Sequence, residues 1–141
     1  MLIRTVAAVA TSLAIAISMP ASAETGQLRI ELNKFEETED NGCRAFFLFR
    51  NDTGLTLVGF EMSLAILDRS GVIDRLLTID AAPLPMARTT LKLFEIPDIR
   101  CSAISEILLH DLPSCQPQNA PGMDCFPLLD LVSRTNAAMV N

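Results

Sequence analysis

The residues of this 141-residue chain with chemistry to offer are four cysteines, one histidine and a scatter of carboxylates. Cys43, Cys101, Cys115 and Cys125 form no C-x-x-C pair, and His110 is the single imidazole available to join them. Zinc modules need closely spaced ligand pairs, so this even set reads as two disulfides. Of the three connectivities, Cys43 with Cys101 and Cys115 with Cys125 is favoured, because the second pair brackets a segment rich in Pro, Gly, Asn and Gln. Loop-closure entropy assigns roughly 3 kcal/mol to the short loop and roughly 4 kcal/mol to the long one.

His110-Asp111 is where a catalytic reading would begin, since histidine is the usual general base near neutral pH. The nucleophile would come from Ser102, Ser105 or Ser114, and no G-x-S-x-G elbow exposes any of them. Catalytic roles follow geometry and not adjacency, so the pair is read as a strand-end histidine beside a solvated aspartate. Glu36, Glu37, Glu39 and Asp40 match no calcium-loop spacing and read as a solvated acidic turn. Met62, Met86, Met123 and Met139 carry thioethers suited to Cu(I), but they are scattered, and Met62 falls on the core face of a strand. Asn51-Asp52-Thr53 fits the N-glycosylation pattern and equally fits turn chemistry. No catalytic, cofactor-binding or metal residue is assigned, and no cofactor is expected.

The N-terminus sets the compartment. Arg4 precedes an apolar run from Val6 to Ile17, Ser18-Met19-Pro20 interrupts it, and Ala21-Ser22-Ala23 supplies the small residues a signal peptidase reads. This is the order of a secretory signal over residues 1–23. The run falls short of the roughly 20 residues that span a bilayer. No cysteine follows it, and a lone arginine precedes it, so neither a lipoprotein nor a twin-arginine route is indicated. A bacterial-type periplasmic or secreted protein of about 118 residues is expected, oxidising enough for the two disulfides. The formal charge of −6 becomes one unit more negative without Arg4. That balance disfavours nucleic acid and anionic lipid surfaces.

The elements that would position these residues are strands. Leu28 to Leu32 alternates apolar and polar, and residues 35–42 are acidic and turn-like. Cys43 to Phe49 is apolar on both faces and reads as a central strand covered on both sides. After the turn Asn51-Asp52-Thr53-Gly54, the residues Val58, Phe60, Met62, Leu64 and Ile66 alternate with smaller or polar ones. Asp68-Arg69-Ser70-Gly71 closes that strand with hairpin chemistry. Further strands are read at residues 72–79, 89–94 and 104–109, around a proline loop at 81–85. Six or so short strands and no useful amphipathic helix before residue 126 predict an all-β, two-sheet sandwich of six to seven strands. By analogy with immunoglobulin domains, a Cys43–Cys101 bond would tie the two sheets. The sandwich is expected over residues 24–112, and residues 113–141 as a disulfide loop and C-terminal extension. Residues 126–132 are read as a short helix or an edge strand, and residues 134–141 as a frayed tail.

The run Phe47-Leu48-Phe49-Arg50-Asn51-Asp52-Thr53-Gly54, followed by Leu64-Ala65-Ile66-Leu67-Asp68-Arg69-Ser70-Gly71, resembles bacterial exported immunoglobulin-like domains of the FxLYD kind. Pro83-Leu84-Pro85 and the strand from Thr89 to Phe94 fit the continuation, over about fifty residues in all, although the chain has no Tyr. The resemblance implies an accessory or binding module and transfers no site residue. The expectation is therefore a non-catalytic envelope module that meets another envelope protein, with no membrane span after signal cleavage. Its contact surface would be a sheet face or Phe126, Leu128, Leu129, Leu131 and Val132. The alternatives are a small periplasmic enzyme, an inhibitor presenting the Cys115–Cys125 loop, or an envelope-stress or assembly factor.

Overall fold

The computed structural model describes residues 27–141, and the secretory signal expected over residues 1–23 lies outside them. Eight strands follow: β1 (Leu28–Glu37), β2 (Cys43–Asn51), β3 (Leu57–Asp68), β4 (Ile73–Asp80), β5 (Arg88–Ile96), β6 (Ile104–Pro117), β7 (Leu129–Ser133) and β8 (Ala138–Val140). They form two four-stranded sheets, ordered β5-β2-β1-β7 and β4-β3-β6-β8. Every neighbouring pair is antiparallel except β1 with β7 and β6 with β8. The described residues contain no α-helix, only single 3₁₀ turns at Cys101–Ala103 and Phe126–Leu128. The two-sheet all-β sandwich read from the periodicity is the observed fold, with one strand more than the upper count.

Period-two alternation builds the core from the inner faces of both sheets. Phe47 and Phe49 on β2 meet Phe60 on β3, with the Phe49 and Phe60 rings edge to face at 6.2 Å between centroids. Leu28, Ile30 and Leu32 from the first sheet face Met62, Leu64, Ile66, Ile104 and Leu109 from the second, all essentially inaccessible. A bulge between Leu57 and Gly59 turns Leu57 inward and leaves Val58 46% exposed, so Val58 leaves the core face that simple alternation gave it.

Three strand boundaries and the covering of one strand differ from the sequence reading. β1 continues through the acidic stretch, because a bulge between Leu32 and Lys34 returns Phe35 to the core side and turns Glu36 toward Arg44. β2 is central but not covered twice: Phe46 and Leu48 on its outer face are only half-buried. β6 runs past residues 109 and 112 to Pro117, its bulges accommodating Pro113, which cannot donate to a regular ladder. The expected frayed tail is instead β8, whose Ala138, Met139 and Val140 pair with Glu106, Ile107 and Leu108. The 126–132 segment resolves into a 3₁₀ turn with Pro127 in its first turn, followed by edge strand β7.

Both disulfides form as expected, Cys43–Cys101 with Cα atoms 4.9 Å apart and Cys115–Cys125 at 6.3 Å. Such bonds belong to a non-reducing environment. Cys43 opens β2 in the first sheet and Cys101 lies in the turn that enters β6 in the second, so the bond joins the two sheets. At the other end of β2 sits Asn51, 1% exposed. Its Nδ2 donates to the carbonyls of Leu55 and Leu84, both at 2.8 Å, and its Oδ1 accepts from the Thr53 amide and hydroxyl. With both amide hydrogens committed and the side chain buried, the folded protein does not offer Asn51 as a glycan acceptor.

Two outcomes follow. The Leu84 carbonyl also accepts from the Leu57 amide, and that of Leu55 from Thr53 Oγ1, so Asn51→Ala orphans neither acceptor fully. Its cost should be about 2 kcal/mol in urea unfolding, and an unchanged midpoint would show that the contacts carry no stability. Ending the chain after Asn136 removes buried Ala137 and Met139. Stability should fall by about 3 kcal/mol; an unaltered unfolding curve would mean that β8 does not dock.

Candidate functional site

The structure brings His110 to a serine, but to none of those considered from sequence. His110 Nε2 lies 2.7 Å from Oγ of Ser63, across the β3–β6 ladder on the outer face of the second sheet. The register pairs Ser63 with Asp111 and Leu64 with Leu109, so His110 is the extra residue of a bulge and stands exposed beside Asp111. Asp111 turns away from the imidazole, its Oδ1 accepting from the Leu112 amide at 2.9 Å. Ser105 donates to the Asp68 carbonyl, and the Ser102 amide donates to Glu37 at 3.3 Å. The result is a two-residue hydrogen bond on an open face, and among the described residues no third group orients the imidazole as catalysis requires. The signal for Ser63 was its outward position on the cleanest strand; its partner depended on a bulge that no local pattern reveals.

The acidic turn residues diverge. Glu36 pairs with Arg44 at 3.0 Å, and Glu37 accepts from the Ser102 amide. Met62 and Met139 are core residues, whereas Met86 and Met123 are exposed. Among the described residues no three His, Cys, Asp or Glu side chains converge to hold a metal ion.

The outer face of the first sheet carries one strip of exposed apolar side chains, and Val72, Ile73 and Leu76 at β4 of the second sheet are exposed as well. Register sets Phe46 beside Leu93 and Leu48 beside Leu91, with Leu91 53% and Leu93 47% exposed. At one end of this strip Arg44 bridges Glu36 and Glu95, at 3.0 and 2.8 Å. Glu95 foremost, aided by Glu36, pushes the Arg44 guanidinium further up in pKa. At the other end Arg29 pairs with Asp130 of β7 at 2.7 Å. The Lys34 ammonium lies 5.2 Å from the Phe46 ring centre and covers that side of the strip.

Beside the strip lies a buried carboxylate. Glu31 is 1% exposed, and its Oε1 accepts from Asn33 Nδ2 at 2.7 Å and Arg134 Nε at 2.9 Å. Its Oε2 is buried with no hydrogen-bond partner among the described residues. The Asn33 hydrogen bond, followed by Arg134, holds its carboxyl below the usual range against burial that pushes it up.

The C-terminal apolar segment is divided between core and surface. Phe126, Leu128, Leu129 and Leu131 are half-buried and pack against the core, while Val132 pairs with Glu31 on the outer face. The Cys115–Cys125 loop exposes residues 118–124. It is fastened by the Met123 amide on the Cys115 carbonyl at 3.0 Å and by Gln116 Nε2 on the Ala120 carbonyl. Among the described residues no helix is long and apolar enough to cross a membrane.

Glu31 titration gives a signed prediction. Its pKa is lowered on folding, so its contribution to stability is full above the ordinary value of about 4.5 and is lost as pH falls through the lower folded value. Glu31→Gln should therefore show a shallower acid-side loss of stability than the native chain in urea titrations below pH 5, and parallel profiles would contradict this. No family model matches this chain, and no curated protein or solved structure matches it.

Proposed function

We propose that the chain is exported and serves the bacterial cell envelope as a non-catalytic binding or accessory module, meeting another envelope protein through the outer face of the first sheet. The observation that carries this reading is the strip of Phe46, Leu48, Leu91 and Leu93, whose two leucines stand about half exposed on an edge strand. Monomeric domains seldom leave neighbouring large apolar side chains open without a use for them, and interface anchors are apolar groups ringed by polar ones. Here Arg44, Glu95, Arg29 and Asp130 form that rim. The secretory pattern of residues 1–23 and the two disulfides support the compartment. The placement of β1, β2 and β5 against β3, β4 and β6 supports kinship with immunoglobulin-like domains, whose A, B and E strands face C, C′ and F.

A second reading rests on the Cys115–Cys125 loop, which is exposed, is stapled at its base and is braced internally by Gln116, as a loop presented to an enzyme would be. One experiment separates the two. The disulfide-bonded protein is used to capture partners from its own envelope fraction, beside Leu91→Ser/Leu93→Ser and a variant with Gln118 to Gly122 replaced by serines. The sheet-face reading expects the loop variant to retain the same partner as the native protein and the leucine variant to lose it by about 30-fold in affinity. Undiminished capture by the leucine variant would overturn it, and loss in the loop variant alone would favour the second reading.

A further inference from the structure

At one end of the sandwich a cleft of about 430 Å³ opens between the β1 bulge, the β3–β4 turn, the turn entering β6 and the β7–β8 turn. Its charged lining is wholly basic, Lys34, Arg69 and Arg134, in a chain whose net charge is −6. Phe35 and Cys101 supply an apolar wall, and Ser102, Thr135 and Asn136 add polar groups. Lys34 directs its ammonium elsewhere, to Glu36 at 3.3 Å, so the cationic groups left to the cleft are the two arginines.

Both arginines are held in the same manner. Arg69 Nε donates to the Ser102 carbonyl at 2.8 Å, and Arg134 Nε donates to Glu31 Oε1 at 2.9 Å. Among the described residues, no hydrogen bond engages the Nη atoms of either one. A guanidinium fixed through Nε presents its remaining donors as a preset fork suited to phosphate or carboxylate oxygens. The turns beneath them are hydrogen-bonded as well. Asp68 Oδ1 accepts from the Ser70 and Val72 amides, and Gly71 takes the left-handed φ of +75° that completes the hairpin. Ser133 Oγ donates to the Ala137 carbonyl at 2.6 Å, and the Arg134 amide donates to the Leu32 carbonyl at the bulge. Of the neighbouring carboxylates, Glu31 and Glu37 engage Arg134, Asn33 and the Ser102 amide, and Asp68 caps its own turn.

We infer that this cleft is a binding site for a small oxyanion-bearing ligand, a phosphate or carboxylate group on an uncharged body of about sugar size. The arginine forks take the oxyanion, and the Phe35 wall with the Ser102, Thr135 and Asn136 groups takes the body. A volume of this order falls within the range of small-molecule sites. The site is separate from the sheet-face strip and stands or falls without it.

The test is a titration of the ¹⁵N-labelled, disulfide-bonded protein with three probes: inorganic phosphate, glucose 6-phosphate and glucuronate. Saturable shifts should appear at the amides of Ser70, Ser102, Thr135 and Asn136. Glucose 6-phosphate should bind more tightly than inorganic phosphate, and the comparison with glucuronate distinguishes a phosphate from a carboxylate source. Arg69→Gln should weaken binding by about tenfold. Arg134→Lys, which keeps a cation beside Glu31 but loses the fork, should weaken it similarly, whereas the remote Arg88→Gln should leave it unchanged. No saturable shift with any probe, or native affinity in either cleft variant, would overturn the assignment.

Discussion

Strand β2 is fastened at both of its ends, to the turn that enters β6 and to the loops that lead into β3 and β5, and the rest of the structure depends on that double attachment. At its start Cys43 is bonded to Cys101, across 58 residues of sequence. At its end Asn51 holds the carbonyls of Leu55 and Leu84. Between these points Phe47 and Phe49 fill the space between the sheets. A covalent bond that closes a long loop acts chiefly by restricting the unfolded chain, whereas the satisfied buried amide acts on the folded state, where its own desolvation is compensated only by this geometry. The two devices work on opposite sides of the folding equilibrium and secure the same strand.

Bulges decide where chemistry reaches the surface. The β1 bulge at Leu32 and Lys34 returns Phe35 to the core side and places Asn33 and Lys34 at the mouth of the basic cleft. The β6 bulges present His110 to Ser63 and let the strand pass Pro113. A bulge re-aims side chains without breaking a sheet, which allows a small sandwich with few loops to build local sites on regular strands. Glu31 shows the cost: one oxygen anchors Arg134 at the cleft while the other is buried with no partner among the described residues.

Much of this fold was legible because its determinants are local. Period-two alternation located the start of β1 and β3, an apolar run located β2, turn residues closed the β3–β4 hairpin, and the composition of the 116–124 segment favoured the observed cysteine pairing. What escaped depended on contacts distant in sequence. Nothing in Ala138-Met139-Val140 announces a strand, since its partner Glu106-Ile107-Leu108 lies some thirty residues away. The acidic character of Glu36 and Glu37 masked the end of β1, where ion pairing and Phe35 outweigh the turn-like composition. The basic cleft was illegible for the same reason: Arg69 and Arg134 are far apart in sequence, and only the meeting of two turns sets them around one space.

Hydrogen exchange, resolved by residue, tests the double attachment of β2 most directly. The native protein is compared with a Cys43→Ala/Cys101→Ala variant at matched pH and temperature. The β2 amides and those of β3 facing them should exchange in the slowest class of the native protein. In the variant β2 should lose protection from its Cys43 end, while the end held by Asn51 stays the slower. Uniform protection along β2 in both proteins, or loss beginning at Asn51, would contradict the double attachment.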